Sequence, residues 1–345
     1  MSSTADLSLV GLVALWYGAS LIAVASAKTV LLSVACPASL CSIQFAVALV
    51  GARQLSLRRF GKKGAAAIGK EYLQLESAEY WTVAAIGATY ALGFLLTNAA
   101  IAIAAPSFVE TVKSAEPLST VGLAMVVLGE REALVSLASL IPLVVGVAMA
   151  SSTPSTFSGV GLVLALCSNI AFSGRAILTK ILKRSHPTAR ASGSDACLFY
   201  HVSRFGLCLL LPVAVALDAR ALIVALVTSE APIGLLLVAN GSAHALYNGV
   251  SFMVLNRVSV ATHAVLNIIR RVCVIAFAAA VFGTPISFFN WVGIALAAIG
   301  VSGFGYSKHS STLGGSGAVV RERVGAGRQL LLPVSDRDAH QVRSV

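Results

Sequence analysis

The sequence predicts an all-α integral membrane protein whose ten transmembrane helices form two inverted five-helix repeats. Three observations lead there. Of 345 residues, 57% are hydrophobic and 11% charged, with a mean hydropathy of +0.87, whereas a soluble domain carries about a quarter charged residues. No soluble core absorbs that much apolar chain, so lipid must be its main solvent. The apolar residues fall in ten stretches of roughly the 20 residues that a bilayer core requires. Finally, the cations gather in alternate connections, as they do when one face of a membrane protein meets the cytosol.

The spans run roughly over 8–33, 38–54, 80–103, 106–127, 133–151, 158–178, 196–217, 232–254, 260–282 and 286–306. Ala35-Cys36-Pro37, Ala105-Pro106, Thr153-Pro154 and Gly283-Thr284-Pro285 mark joints between them. Residues 1–152 are expected to hold the first repeat and 153–307 the second. Residues 308–345, rich in Gly, Ser, Arg and Asp, are expected to form a disordered basic tail. No basic region precedes the first span, which therefore reads as a retained helix and not a cleaved signal, and no Ser/Arg-rich leader is visible. Cys36, Cys41, Cys167, Cys197, Cys208 and Cys273 lie mostly in apolar stretches without metal spacing and read as small hydrophobes. Cys36 and Cys41 lie near enough to pair in a short loop, but the reading as small hydrophobes is preferred for them too.

Ten crossings place both termini on one face. That face collects Arg53, Arg58, Arg59, Lys62, Lys63, Lys70, Arg131, Lys180, Lys183, Arg184, Arg190, Arg257 and six tail cations, 18 in all, against Arg220 alone opposite. The termini are therefore expected in the cytosol or its equivalent compartment. The net charge of +11 then reflects topology, with no nucleic-acid partner. A weak repeat supports two halves: Val127-Leu128-Gly129-Glu130 ends span 4 as Val281-Phe282-Gly283-Thr284 ends span 9. Five spans per half invert one half relative to the other, which places a substrate site near the midplane.

The remaining six cations lie inside spans: Lys28, Lys113, Arg175, Arg204, Arg270 and Arg271, opposed there by Glu110 and Glu116 alone. Each costs about 2.5–3.5 kcal/mol at a helix centre unless it finds a partner or a wet cavity. Lys28, Arg175 and Arg204 have two readings, snorkelling to an interface or facing the interior. Lys113 has neighbours at i−3 and i+3, Glu110 and Glu116, that suit intrahelical pairs. Arg270-Arg271 lies mid-span, and adjacent residues point about 100° apart on a helix. Both cannot follow one polar stripe outward, but both can grip different oxygens of one phosphate. His263, Asn267 and Arg270 recur at i, i+4 and i+7 on one face, with His263 read as a helix-end hydrogen-bonder. Trp16, Tyr17, Trp81 and Trp291 read as interface or packing aromatics.

The run Ser107-Phe108-Val109-Glu110-Thr111-Val112-Lys113-Ser114-Ala115-Glu116-Pro117, followed by Leu128-Gly129-Glu130, resembles the fourth helix of the plastidic triose-phosphate/phosphate translocator family. Leu246-Tyr247-Asn248, Arg257 to His263 leading into Arg270-Arg271-Val272, Phe282 to Ser287, and Ser168-Asn169 also fit. The resemblance implies ten helices in two inverted halves, as in the drug/metabolite transporter superfamily. It implies a phosphate site formed by Thr97, Lys113, Tyr247, Arg270 and Arg271, and a gate formed by Glu116 and Arg175. Three positions depart from the family pattern. Arg270-Arg271 replaces a Lys-Arg pair, Phe94 stands where many members have histidine, and Glu110 replaces another histidine.

The resemblance and the buried cations together imply an antiporter exchanging inorganic phosphate for phosphorylated C3 (or C5/C6) metabolites such as triose phosphate or phosphoenolpyruvate, with no metal or cofactor. Its expected place is an organellar membrane, the plastid envelope first and the Golgi or ER second. With three uncompensated cations, the empty carrier would switch slowly and so couple transport one for one. The alternative is a nucleotide-sugar/nucleoside monophosphate antiporter of the Golgi or ER. An enzyme on phospholipid head groups would need a nucleophile, acid-base pair or metal cluster that the sequence does not offer.

Overall fold

The structure, a computed structural model, describes residues 8–54, 77–130, 132–151, 157–185, 195–229, 232–255, 257–258 and 260–307. The expected basic tail and the loop cations Arg58, Arg59, Lys62, Lys63, Lys70, Arg131 and Arg190 lie outside these residues. Regular structure among them is entirely α-helical: α1 (Leu9–Ser33), α2 (37–54), α3 (Ser77–Ile103), α4 (Pro106–Lys113), α5 (Glu116–Leu128), α6 (Leu134–Ala138), α7 (Leu140–Ser151), α8 (Gly159–Ser185), α9 (Asp195–Leu217), α10 (Ala219–Thr228), α11 (Ile233–Leu255), α12 (Val260–Val281) and α13 (Phe288–Ser307). Six stretches, in α1, α3, α6–α7, α8, α9 and α13, are long and apolar enough to cross a membrane by length and composition.

Large apolar side chains face outward while charged and polar groups are drawn into an otherwise apolar interior. Val126, Leu134, Val227 and Phe288 are each at least 80% exposed, while Lys28, Glu110, Lys113, Asn98 and Asn240 are buried. A contiguous apolar surface of this kind needs lipid against it.

Two features of the helix layout depart from the sequence reading. Span 4 is not one helix but two. Pro117 has no N–H for the carbonyl of Lys113 four residues back, and its ring crowds that carbonyl, so the helix breaks at Ser114-Ala115. Lys113 thereby ends α4 and Glu116 begins α5, each charge at the helix end whose dipole favours it. The short apolar helix α10, placed in no predicted span, follows α9 directly. Asp218 at this junction accepts from the N–H groups of Ala38 (2.8 Å) and Ser39 (2.9 Å) and from the Ser39 hydroxyl (2.5 Å). It thus caps the otherwise unpaired N–H donors at the start of α2.

α3 runs along α8 and α1 along α11, and α4 meets α12 in the interior. α7 and α13 cross in backbone contact. A Cβ on Gly146 would collide with the main chain at Gly293 and Ala297, and one on Gly293 would lie 2.6 Å from the Gly146 carbonyl oxygen. The Asn290 amide extends this antiparallel seam by donating to the Ala150 carbonyl at 2.9 Å, and Ser136 meets Ser307 at 2.8 Å. Gly129 and Gly283, which close α5 and α12, take nearly the same left-handed φ, 63° and 62°.

Lys28 does not snorkel. Its ammonium donates to the carbonyls of Ile101 (2.8 Å) and Ala104 (3.0 Å), closing the C-terminal end of α3 from α1. A Lys28→Met protein is expected to lose about 1–3 kcal/mol of stability, because two buried acceptors go unsatisfied. Chemical denaturation in detergent reads this, and an unchanged midpoint removes the capping role. At the end of α5, Glu130 accepts from Lys180 (2.6 Å) and Arg184 (2.5 Å) of α8. The hydrogen bond from Lys180, then that from Arg184, holds its carboxyl below the usual carboxylate range. A depressed carboxyl stabilises the fold above its unfolded value and loses that contribution as pH falls through the folded one. Both cations are exposed, so the effect is at most about 1 kcal/mol. Glu130→Gln is expected to melt slightly earlier than the parent at pH 7 and together with it in acid. A gap that widens in acid contradicts the ion pair.

Candidate functional site

The α4–α5 break puts three charges at the centre of the bundle. Glu110 sits one turn before the break, Lys113 at its edge and Glu116 just beyond. α12 crosses opposite and delivers Arg271 to both carboxylates: Nη1 lies 3.4 Å from Glu110 Oε2, and Nη2 donates to Glu116 Oε2 at 2.9 Å. Glu110 Oε1 faces Lys113 Nζ at 4.0 Å. Glu110 therefore holds two cations at once, one from its own helix and one from across the interior.

Arg270 points elsewhere, as its 100° offset requires. Its Nε donates to Asn267 Oδ1 at 3.0 Å, and its guanidinium lies over the rings of Trp16 (5.8 Å) and Tyr247 (5.9 Å). Such placement suits a cation that sheds water. Around the next quarter Arg175 lies 5.0 Å over Tyr90, and Lys113 lies 5.1 Å over Phe172. Phe94 makes edge contacts with Tyr90, Phe172 and His244. Thr97 donates to the Gly93 carbonyl and shares a 2.8 Å hydrogen bond with Ser168 of α8. Gln44 bridges Asn98 (3.0 Å) and Asn240 (2.8 Å) beneath.

Most of these groups line a partly open cavity of about 250 Å³. Thr97, Lys113, Tyr247, Arg270 and Arg271 all line it, as do Glu116 and Arg175. Of the six intramembrane cations, Lys113, Arg175, Arg270 and Arg271 meet here, while Lys28 caps α3 and Arg204 lies over Phe205 at 4.9 Å. Glu116 pairs with Arg271 and not with Arg175, whose buried Nε has no hydrogen-bond partner among the described residues. A second cleft of about 850 Å³, mostly apolar, runs from Glu116 and Arg271 along α5, α8, α12 and α13 towards Glu130 and Lys180.

For several residues the structure selects between readings that the sequence left open. Trp16 is 2% exposed and stacks on His263 at 5.0 Å, so it belongs to the cavity wall and not to an interface belt. The Tyr17 hydroxyl donates to the Leu266 carbonyl at 2.6 Å, joining α1 to α12. His263 meets Ser251 at 3.2 Å and also lines the cavity. Cys36 and Cys41 are buried free thiols, not a disulfide. The surplus of three cations expected for an empty site is smaller, because Glu110 offsets one of them. The sequence reading passed over Gln44, Tyr90, Asn98 and Phe172. Gln44 and Asn98 carried a usable signal, since uncharged amides inside apolar spans face partners or cavities.

Several known proteins are similar to this chain. A rice phosphoenolpyruvate/phosphate translocator 1 is 31% identical over 301 residues, 86% of this chain and 70% of that protein. The Arabidopsis thaliana phosphoenolpyruvate/phosphate translocator 2 is 32% identical, over 65% of this chain and 59% of that protein. The Pisum sativum triose phosphate/phosphate translocator is 31% identical, over 65% of this chain and 55% of that protein. All three are chloroplastic, and the match spans little more than half the length of the latter two. One solved crystal structure shares the fold, with a TM-score of 0.52 at 16% identity over 85% of this chain and 93% of that one. The Triose-phosphate Transporter family model matches residues 7–307, and the chain belongs to that family.

Proposed function

We propose that the chain is an antiporter that exchanges inorganic phosphate for phosphorylated C3 metabolites, with C5 and C6 sugar phosphates as larger candidates. The observation that carries this is a charge count. Four cations and two carboxylates line the cavity of about 250 Å³, a surplus of two positive charges. A phosphoryl group carries roughly −1.5 to −2 at neutral pH and balances that surplus. Lys113, Arg270 and Arg271 hold its oxygens, Tyr247 and Thr97 border it, and Arg175 adds its charge to the same wall.

Exchange follows from the same electrostatics. Loaded, the site is near neutral and can be sealed from water. Empty, it holds two unbalanced cations, whose burial costs several kcal/mol per ion, so the empty carrier switches slowly. As phosphate takes up Arg271, Glu116 is released to reach Arg175 and form the gate. The pairing of helices supports two inverted halves, 1–152 and 153–307. A five-span shift turns the α3–α8 pairing into α11–α1, and the α7–α13 seam into itself. The matched φ angles of Gly129 and Gly283 point the same way. Cation placement supports termini on the cytosol-equivalent side, and the chloroplastic relatives support a plastid envelope membrane.

The test is uptake of labelled phosphate into proteoliposomes preloaded with phosphate, with triose phosphate, phosphoenolpyruvate, glucose 6-phosphate and nucleotide sugars as competitors. Uptake that requires internal phosphate supports the exchanger. Uptake seen only against internal nucleoside monophosphate transfers the assignment to nucleotide sugars. Arg271→Gln is expected to lower exchange at least about a hundredfold, equivalent to about 2.7 kcal/mol, and full activity in that variant sinks the site assignment.

A further inference from the structure

We propose that Glu110 sets the charge the cavity accepts, admitting phosphomonoesters with no second acidic group and rejecting phosphorylated carboxylic acids. The inference rests on the phosphate site proposed above and names its substrate class. Glu110 is 5% exposed and belongs to the cavity lining. Its two oxygens face Lys113 at 4.0 Å and Arg271 at 3.4 Å. It is thus a resident anion on two of the cations that would grip a substrate. Glu116 occupies the other nitrogen of Arg271 at 2.9 Å.

The arithmetic leaves no cation for a third substrate charge. Of the four lining cations, two are offset by Glu110 and Glu116 and two by a phosphoryl dianion. The rest of the wall is neutral. Thr97, Asn98, Gln44 and Asn248 can face hydroxyl or carbonyl groups, and Tyr90, Phe94 and Phe172 present rings, whose electron-rich faces disfavour a carboxylate. A substrate carboxylate would enter unpaired, and an unpaired buried charge is strongly destabilising. Without the Glu110 charge the surplus rises to three, which matches a phosphorylated acid.

Two probe pairs read this. Glycerol 3-phosphate and 3-phosphoglycerate differ only in a hydroxymethyl against a carboxylate, and dihydroxyacetone phosphate is set against phosphoenolpyruvate. Each competes with labelled phosphate for wild-type protein in phosphate-loaded liposomes. The carboxylate-free member is expected to compete at least about tenfold better. In Glu110→Gln the ratio is expected to fall by at least about tenfold, with Glu110→Asp restoring the wild-type preference. A wild type that prefers the acids, or a ratio unmoved in Glu110→Gln, overturns the proposal. Should Glu110→Gln exchange no phosphate, the wild-type ratios decide alone. Absence of phosphate/phosphate exchange in wild type instead overturns the carrier reading beneath it.

Discussion

One guanidinium organises the interior. Arg271 reaches from α12 to carboxylates on either side of the α4–α5 break, 3.4 Å from Glu110 and 2.9 Å from Glu116. In a medium that hydrates nothing, that fork is what permits three charges of α4–α5 to face inward together. It also ties two helices from distant parts of the chain where α4 and α12 pack together. The break itself comes from Pro117, so a backbone constraint and an electrostatic one converge on the same few residues.

Much of this was legible in the sequence, for a physical reason. A lipid solvent penalises buried charge so heavily that Lys113, Arg270 and Arg271 announce an interior site by being there at all, and the structure gathers them around one cavity. Apolar segment length likewise marks helices, because the bilayer imposes it. What escaped was information that lives in three dimensions. Nothing local in the sequence separates Lys28, which caps another helix, from a lysine that borders a cavity. Nor does it show that Glu116 selects Arg271 over Arg175, since that depends on how α8 and α12 are set around α5. Trp16 read equally as an interface or a packing aromatic, and only the packing of α1 against α12 makes it a wall of the cavity.

Uncharged polar residues carry a second layer of order. The Gln44–Asn98–Asn240 relay links α2, α3 and α11, and Asn240 continues to the Ala23 carbonyl of α1 at 2.7 Å. Thr97–Ser168 and Ser119–Ser173 join α3 and α5 to α8. Each such bond has a fixed geometry, unlike apolar contact, so the relay holds the helices under the charged site in register while lipid-facing surfaces stay featureless.

The α7–α13 seam has a mechanical consequence. Helices whose main chains touch at Gly146 and Gly293, latched by Asn290 at one end and by Ser136 and Ser307 at the other, cannot part without opening a void that nothing fills. Relative movement that keeps this contact is rotation about its line. Like leaves on a spine, the other helices travel further the farther they stand from it. The glycines make α7 and α13 an axle, and any bulkier side chain there would fix the leaves in one position or shear the spine itself.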